Sequence, residues 1–294
     1  SQMGSLARTS GGATIYRSSK NALNMVAKNL SLEFAPRGIA VVMFLEAIRR
    51  INPEIKFYQA STSEMFGRAG LVNGLNGLSH KSLNENDNFV PTSPYAAAKL
   101  YAYWTTKIYR RAYNMFACQG ILFNHESPLR GLEFVTRKIT NSVAKIALGL
   151  EKELHLGNMK SVRDWGFAPE YVEAMWKMMQ QDEPDDYVIA TNEFHSVLGF
   201  VSSAFEEAGL NWRKYIRTDK KFTRPIDTNA LRGDYSKAER ELSWKPKTKF
   251  EELVKIMVKA DIERWQKVMI GESFPWDAPN YPSEVSIITR ALKE

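Results

Sequence analysis

A tyrosine and a lysine four residues apart are the first side chains whose spacing suggests chemistry. Tyr95 and Lys99 frame the sequence Tyr-Ala-Ala-Ala-Lys, directly after Ser93-Pro94. On a helix, residues four apart share one face. A phenol has a pKa of about 10, and a neighbouring cation favours the phenolate, so the pair could move a proton to or from a substrate hydroxyl. The same spacing also arises by chance, as an aromatic residue packed beside a lysine stem.

Polar residues follow two predicted strands, at the end of the strand where a parallel sheet binds its ligands. Ser61-Thr62-Ser63-Glu64 ends a strand predicted over 56–61, and Asn124-His125-Glu126 follows one predicted over 117–123. A carboxylate there can abstract a carbon-bound proton, and a hydroxyl can hold a substrate oxygen. Taken alone, the hydroxyl-rich run is better explained as a turn cap. The second run is not a zinc signature, because no second histidine stands at helical spacing.

Four separated basic residues lie near predicted turns: Arg130, Lys138, Arg163 and Arg224. Each one alone is typical of a surface charge, but together they could clamp a diphosphate, since arginine presents paired donors to phosphate. The chain has 40 Lys and Arg against 33 Asp and Glu, a net charge of +7. This excess favours an anionic partner. Nucleic acid is not expected, because the basic residues are scattered and form no motif known to enter a groove.

The elements that must position these residues alternate between strands and helices, which predicts a parallel sheet with crossover helices. The predicted strands are 39–44, 56–61, 117–123 and 187–190, and the predicted helices are 18–34, 45–51, 93–114, 134–150, 170–180, 197–208, 235–242 and 251–267. A long loop over 67–92 precedes the helix that carries Tyr95. Beyond residue 191 helical patterns dominate, which predicts a smaller second part.

Length and composition exclude several classes of protein. A chain of 294 residues suggests about two domains. The longest apolar run, 39–45, is far shorter than the ~20 residues of a membrane helix, and residues 1–5 show no signal-peptide core. The one cysteine, Cys118, excludes a disulfide framework and multi-cysteine metal sites. We therefore expect a reducing, cytoplasmic location and no membrane partner.

From about residue 45 to residue 261 the chain resembles the GDP-mannose 4,6-dehydratase family, a branch of the extended short-chain dehydrogenase/reductase superfamily. The resemblance rests on long matching stretches: FYQASTSEMFG at 57–67, SPYAAAKLYAYW at 93–104, GILFNHESPLRG at 120–131, FVTRKIT at 134–140, RDWGFAPEYVEAMW at 163–176 and DYVIAT at 186–191. Epimerases of the superfamily share only the tyrosine–lysine pair and the general fold, so this set of motifs is specific.

The resemblance implies a lyase that takes a hydride from sugar C4 onto NADP, eliminates water across C5 and C6, and returns the hydride to C6. It implies that Tyr95 removes the 4-hydroxyl proton, and that Lys99 lowers the pKa of Tyr95 and holds the nicotinamide ribose. It implies that Thr62 hydrogen-bonds the sugar 4-oxygen. Glu64 would take the C5 proton and protonate the departing 6-hydroxyl.

The remaining residues implied by the resemblance divide between two ligands. With Lys99, His125 and Arg130 match positions associated with NADP. The GDP-mannose side is matched by Asn124, Lys138, Arg163, Arg224 and Asp227, where Asp227 replaces the family's usual glutamate. Leu198-Gly199 replaces an expected Arg-Glu pair. The family also implies a homo-oligomer, either a dimer or a tetramer.

The largest departure from the family lies at the start of the chain. A strand followed by a glycine-rich turn of the form TGITGQDG is missing, although such a turn seats the NADP pyrophosphate at a helix N-terminus. The glycines at 67, 70, 74 and 77 imitate its spacing, but no apolar-periodic helix follows them. Residues 1–43 instead resemble an ordinary short-chain dehydrogenase, with a second pair, Tyr16 and Lys20.

These observations predict a Rossmann-like α/β fold without its N-terminal glycine-rich unit, and with a smaller C-terminal substrate domain. The predicted parts are a short-chain-dehydrogenase-like helix and strand at 1–43, a catalytic part at 44–190, and a mainly helical substrate-binding part and tail at 191–294. Three functions stay open: a GDP-mannose dehydratase, a non-enzymatic remnant that keeps the GDP-sugar surface, and an NADP-dependent reductase or epimerase that uses Tyr16 and Lys20.

Overall fold

The computed structural model describes residues 40–69, 71–74, 77–219 and 231–272 of the chain, with the backbone alone for 71–74 and 77–80. Tyr16, Lys20, Arg224 and Asp227, together with the predicted helix over 18–34, lie outside the described residues.

Within these ranges the helices and strands alternate along most of the chain. The α-helices are α1 (Ala40–Ile51), α2 (Pro94–Tyr113), α3 (Val135–Ala147), α4 (Ala168–Met179), α5 (Val197–Glu207), α6 (Ser236–Leu242) and α7 (Phe250–Met269). The strands are β1 (Phe57–Thr62), β2 (Leu71–Gly74), β3 (Gly77–His80), β4 (Ser82–Leu83), β5 (Ala117–Leu122), β6 (Asn124–Glu126), β7 (Leu154–Leu156), β8 (Val162–Arg163), β9 (Trp165–Phe167), β10 (Asp186–Ile189), β11 (His195–Ser196), β12 (Ile216–Thr218) and β13 (Arg232–Gly233). None of the described helices is both long enough and apolar enough to cross a membrane.

Three parallel strands form the central sheet, in the order β1-β5-β10. The register of β1 on β5 runs from Phe57 opposite Ala117 to Thr62 opposite Leu122. All residues of β5 and β10 are buried, as expected for parallel strands that are covered on both faces. The predicted Rossmann-like sheet with crossover helices is confirmed.

Helix α2 crosses from β1 to β5 and begins where the sequence predicts. The Ser93 hydroxyl accepts a hydrogen bond from the Ala96 backbone N–H at 3.1 Å, and Pro94 occupies the first turn. Both features are typical of helix starts. Tyr103 of α2 packs on the face of the sheet formed by Ile121 and Val188. Helix α2 is therefore anchored at both its start and its middle.

The opposite face of the sheet is covered by α4, where Tyr171 and Met178 pack on Leu122 and Ile189. A further core lies between α3, α5 and α7. It contains aliphatic and aromatic side chains from all three helices: Ile139, Val143, Ile146, Val197, Phe200, Val201, Ala204, Phe205, Phe250, Leu253, Val254, Met257 and Val258. This core thus contains residues from both sides of the boundary predicted at residue 190. The division of the chain into two parts at that boundary stays a prediction.

The strand predicted over 39–44 is wrong, because Ala40–Ile51 forms one helix, α1. Val41, Leu45 and Ile48 are spaced for one helical face and pack against Met115 and other residues next to β5. A short apolar run cannot be assigned to a strand or a buried helix from periodicity alone. Packing on α2 and the start of β5 decides in favour of the helix.

The stretch predicted as a loop over 67–92 contains the antiparallel hairpin β2–β3 and the short strand β4. Gly74 pairs with Gly77 at the closed end of the hairpin. Gly74 and Gly77 therefore close a hairpin. They do not lead into a helix, which agrees with the prediction from the sequence.

Two glycines with positive φ allow a matched test of how tightly this region is packed. A Cβ on Gly67 (φ 51°) would lie 1.7 Å from the Val90 carbonyl oxygen, whereas one on Gly149 (φ 73°) would meet nothing within 4 Å. We expect Gly149→Ala to lower the free energy of unfolding by about 1–2 kcal/mol, the cost of a left-handed L-residue. Gly67→Ala should cost about 3 kcal/mol or more, because overpacking adds a further term. Urea unfolding of both variants checks this, and equal losses would contradict the described packing at Gly67.

Candidate active site

The carboxyl end of β1 presents alternating buried and accessible polar side chains. Ser61 and Ser63 are buried, whereas Thr62 and Glu64 are half-buried. Thr62 also caps the 3₁₀ helix Ser63–Phe66, since its hydroxyl accepts a hydrogen bond from the Glu64 backbone N–H at 3.3 Å. The period of two along a strand separates Thr62 from the buried Ser61, and Glu64 is half-buried in the 3₁₀ helix that follows. Of residues 61–64, Thr62 and Glu64 are therefore the side chains left at the edge.

Tyr95 and Lys99 lie in the first turns of α2, above the same end of β1. The Lys99 ammonium donates a hydrogen bond to the Ala60 carbonyl oxygen at 2.9 Å. Its Nζ lies 5.9 Å from the centre of the Tyr95 ring. Half of the Tyr95 side chain is exposed, at 52%. The predicted pairing on one helical face is present, and Lys99 additionally ties α2 to β1.

The side chains that shift the pKa of Tyr95 are those that lie near its hydroxyl. Burial raises the pKa of Tyr95 above its ordinary value, and the Glu64 carboxylate acts in the same direction. The Thr62 side chain and the positive charge of Arg130 lower this pKa. The structure therefore brings together four of the predicted site residues, from β1, α2 and the segment after β6.

The expected lowering of the Tyr95 pKa by Lys99 stays a prediction, because the groups that shift this pKa are Thr62, Glu64 and Arg130, together with burial. The Lys99 ammonium is held by the Ala60 carbonyl, and burial lowers the pKa of Lys99 itself. Because burial disfavours any charged form, it opposes both the phenolate and the ammonium that the expectation required. Arg130 is the cation that favours the Tyr95 phenolate in this structure.

His125 lies on β6, which pairs in parallel with β9. Its Nδ1 is 2.9 Å from the Phe123 carbonyl oxygen, and its ring stacks on Tyr171 with the ring centres 5.0 Å apart. Burial lowers the pKa of His125, and the charge of Arg130 lowers it further. A carbonyl can only accept, so Nδ1 carries the proton of a neutral ring and Nε2 is left as an acceptor.

Arg130 is held from two sides. Its Nε lies 3.2 Å from a carboxylate oxygen of Glu126, and its guanidinium stacks on the Phe134 ring at 3.5 Å. Glu126 is buried and accepts a hydrogen bond from the Thr136 hydroxyl at 2.6 Å. Burial raises the pKa of Glu126, an effect that the Arg130 charge opposes.

The other predicted binding residues occupy neighbouring elements. Asn124 begins β6 and pairs with Trp165. Lys138 lies in α3. Burial lowers its pKa, whereas the charges of nearby carboxylates act to raise it. Arg163 ends β8, opposite His195. Neither Lys138 nor Arg163 is among the groups that act on the pKa of Tyr95, and their part in the site stays a prediction.

Asp164 is a buried carboxylate that sequence reasoning missed. It accepts hydrogen bonds from the Thr191 backbone N–H at 2.8 Å, the Thr191 hydroxyl at 2.6 Å, the Asn192 N–H at 3.0 Å and the Gly233 N–H at 3.2 Å. It thereby ties the segment after β10 to β13, directly beside Arg163. Its position in Arg-Asp-Trp is the one sequence signal, and that signal does not reveal the partners.

The Asp164 carboxylate should make stability depend on pH. Burial raises its pKa from 3.8 to about 6, against its four hydrogen bonds. Between these values the folded chain binds more protons than the unfolded chain, so this contribution falls as pH rises, by about 3 kcal/mol in total. Asp164→Asn removes the titration. We expect the stability advantage of the unchanged chain over the variant to shrink between pH 4 and pH 7 in urea unfolding. An advantage that stays constant or grows with pH would contradict this.

Similar folds occur in solved structures. RMD from Pseudomonas aeruginosa, complexed with NADPH, matches with a TM-score of 0.67 at 18% identity, over 77% of this chain and 73% of that one. The dTDP-glucose 4,6-dehydratase of Bacillus anthracis, in complex with NAD, matches with a TM-score of 0.66 at 22% identity, over 78% and 68% of the two chains. The parallel sheet, with the Tyr95–Lys99 helix at its carboxyl edge, thus belongs to the Rossmann-like α/β class of folds that these structures share.

Sequence comparison places the chain within that class. The family profile described as GDP-mannose 4,6 dehydratase matches residues 32–257. GDP-mannose 4,6 dehydratase 1 of Arabidopsis thaliana is 48% identical over 244 residues, which cover 81% of this chain and 64% of the relative. The human GDP-mannose 4,6 dehydratase is 46% identical over 246 residues, covering 77% and 63%. The chain belongs to the GDP-mannose 4,6-dehydratase family.

Two features of this match bear on the predictions. The chain spans just under two thirds of the length of these relatives. The family match begins at residue 32, which is earlier than the start predicted near residue 45. The segment with short-chain-dehydrogenase character, predicted to end at residue 43, therefore overlaps the family match.

Proposed function

We propose that this chain carries the active site of a GDP-mannose 4,6-dehydratase, which forms GDP-4-keto-6-deoxymannose. The observation that carries the proposal is the convergence of Thr62, Glu64, Tyr95 and Arg130 at the carboxyl end of β1. A hydroxyl, a carboxylate, a phenol and a guanidinium are the groups needed to hold a sugar oxygen and to move protons at neighbouring carbons. The relatives bear the name of this activity.

Tyr95 takes the proton of the sugar 4-hydroxyl as C4 is oxidised to a ketone. Thr62, whose side chain acts on the pKa of Tyr95, would hold the same oxygen. The phenol must give up its own proton first, and burial resists this. The Thr62 side chain and the Arg130 charge are the two influences that favour the phenolate.

Glu64 acts once C4 is a ketone, because the ketone makes the C5 proton acidic. The carboxylate takes that proton and passes it to the 6-hydroxyl, which leaves as water. One C–H bond and one C–O bond break, and a C5–C6 double bond forms, so the elimination itself needs no oxidant. A half-buried carboxylate at the strand end suits both halves of this step.

The described residues fit the nicotinamide end of NADP. Lys99 would hold the nicotinamide ribose, and His125, as a neutral ring with a free acceptor nitrogen, and Arg130 would meet the remaining cofactor groups on this side. When bound, NADP supplies the acceptor for the C4 hydride and returns the hydride to C6.

The pyrophosphate of NADP requires a separate binding site. Such a site consists of backbone N–H groups at a helix N-terminus, and glycines next to them let the pyrophosphate approach the backbone closely. Among the described residues, Gly74 and Gly77 close a hairpin instead, and the printed sequence has no turn of the TGITGQDG type. This observation favours a second candidate function, a protein that binds the GDP-sugar without turning it over. For GDP-mannose itself we propose contacts from separated polar and basic residues, namely Asn124, Lys138, Arg163, Arg224 and Asp227.

We expect weak NADP binding by this 294-residue chain, with a Kd well above the micromolar range, and little product. The physical reason is that the printed sequence has no glycine-rich turn of the TGITGQDG type to bring backbone donors to the pyrophosphate. Calorimetric titration with NADP measures the affinity. Mass spectrometry at millimolar NADP then detects the loss of water from GDP-mannose. Micromolar binding with steady product formation would show that the glycine turn is dispensable or replaced.

The two tyrosine–lysine pairs can be separated by mutation. At millimolar NADP, Tyr95→Phe should remove whatever product forms, because phenylalanine cannot take the 4-hydroxyl proton. Tyr16→Phe should leave the rate within twofold, and so should Tyr101→Phe, an exposed tyrosine of the same helix. Product formation is followed by mass spectrometry. If Tyr16→Phe abolished turnover and Tyr95→Phe did not, the active site would have to be assigned to Tyr16 and Lys20 instead.

A further inference from the structure

Arg130 lies in a tight turn whose own hydrogen bonds are few. The Arg130 backbone N–H donates to the Ser127 carbonyl at 3.0 Å, and the Leu129 N–H donates to the Ser127 hydroxyl at 3.1 Å. Pro128 occupies the second position of the turn, where its fixed φ is favoured. These contacts shape the turn but do not attach it to the rest of the fold.

A buried cluster of charged side chains lies beneath this turn. Arg137 and Thr140 come from α3, and Asp261 and Arg264 come from α7. The exposed fractions are 2% for Arg137, 0% for Asp261 and 8% for Arg264. The Arg137 Nε lies 3.0 Å from both carboxylate oxygens of Asp261. The Thr140 hydroxyl donates to the same carboxylate at 2.6 Å, and Arg264 donates to it as well.

The two arginines extend from this carboxylate to the turn. Arg137 Nη1 donates to the Arg130 carbonyl oxygen at 2.9 Å. Arg264 Nη2 donates to the Pro128 carbonyl oxygen at 3.1 Å. Asp261 thus orients two guanidinium groups, and each of them holds a backbone carbonyl of the turn that carries Arg130.

Packing α3 against α7 does not by itself require buried charge. Apolar side chains such as Val143 and Met257 already join the core between these helices, and apolar replacements of buried ion pairs are often neutral or stabilising. What this cluster adds is direction, because Arg137 and Arg264 each also donate to a carbonyl oxygen of one particular turn. Connected buried polar groups of this kind favour a single arrangement.

We propose that Arg137, Asp261 and Arg264 are positioning residues that fix the Ser127–Gly131 turn and thereby set the place of the Arg130 guanidinium beside His125 and Tyr95. This inference rests on the proposed function for the importance of Arg130, but the geometry concerns the chain alone. It assigns to α7, which is distant in sequence, a part in the arrangement of the catalytic edge.

His125 reports directly on the position of Arg130 without any cofactor or sugar. The chain has four histidines, so their imidazole signals can be followed separately by NMR as pH is varied, and His125→Gln assigns the relevant signal. The charge of Arg130 lowers the pKa of His125. We therefore expect Arg130→Gln to move the His125 titration midpoint to higher pH.

The decisive measurement is a double-mutant cycle. Asp261→Asn in the otherwise unchanged chain should produce at least half of the midpoint shift caused by Arg130→Gln, because the released turn no longer holds the guanidinium in place. In the Arg130→Gln background the same change should have no further effect on His125. Arg264→Gln removes the contact with Pro128 and should shift the His125 midpoint in the same direction. It replaces Asp261→Asn in the measurement if that variant does not fold.

A matched control separates positioning from loss of stability. Asp186 is also buried and paired with an arginine, Arg110, at 2.6 Å, but it begins β10, at the opposite edge of the sheet. Asp186→Asn should destabilise the chain and leave the His125 midpoint unchanged. Equal midpoint shifts for Asp186→Asn and Asp261→Asn, or an Asp261→Asn shift that persists without Arg130, would overturn the proposal. Because no ligand is present, failure of the dehydratase assignment would leave this result standing.

Discussion

The parallel register of β1 on β5 is the constraint on which the candidate site depends. Thr62 pairs opposite Leu122, so both strands end at the same level, and the residues that follow them meet at one edge. Lys99 strengthens this arrangement, because it donates from α2 to the Ala60 carbonyl of β1. A shift of one residue in this register would exchange the accessible Thr62 with a buried neighbour. The convergence of Glu64, Tyr95 and Arg130 follows from that pairing.

Burial and charge act against each other at this edge. Burial raises the pKa of Tyr95, lowers that of Lys99 and lowers that of His125, so all three groups are biased toward their neutral forms. Two influences favour a phenolate at Tyr95, namely the Thr62 side chain and, after it, the fixed positive charge of Arg130. The place of Arg130 is set by Glu126, by the Phe134 ring and by the buried cluster under its turn. The chemistry proposed for the edge thus depends on residues that never meet a substrate.

The sequence predicted most reliably the features that local rules determine. The start of α2 follows from a capping serine and a proline in the first turn, and β5 is an apolar run between two helices. The predicted strand over 39–44 failed because its apolar spacing suits a helix equally well, and packing on distant residues decided the outcome. Asp164 and Asp261 were missed because most of their partners lie far away in the sequence, and no local pattern shows which carboxylate will be buried. The hydrogen bond from Lys99 to Ala60 is likewise a product of tertiary structure.

Glu64 is the carboxylate proposed to work at C5, and its action there can be measured without NADP. GDP-4-keto-6-deoxymannose already contains the C4 ketone, so a competent base should exchange its C5 hydrogen for deuterium in D₂O, as followed by proton NMR. The account predicts exchange by the unchanged chain and by Glu54→Gln, an exposed control just before β1. It predicts a rate lower by a factor of about 10²–10⁴ for Glu64→Gln, the usual effect of losing one acid–base group. Equal exchange by the unchanged chain and Glu64→Gln would contradict the account.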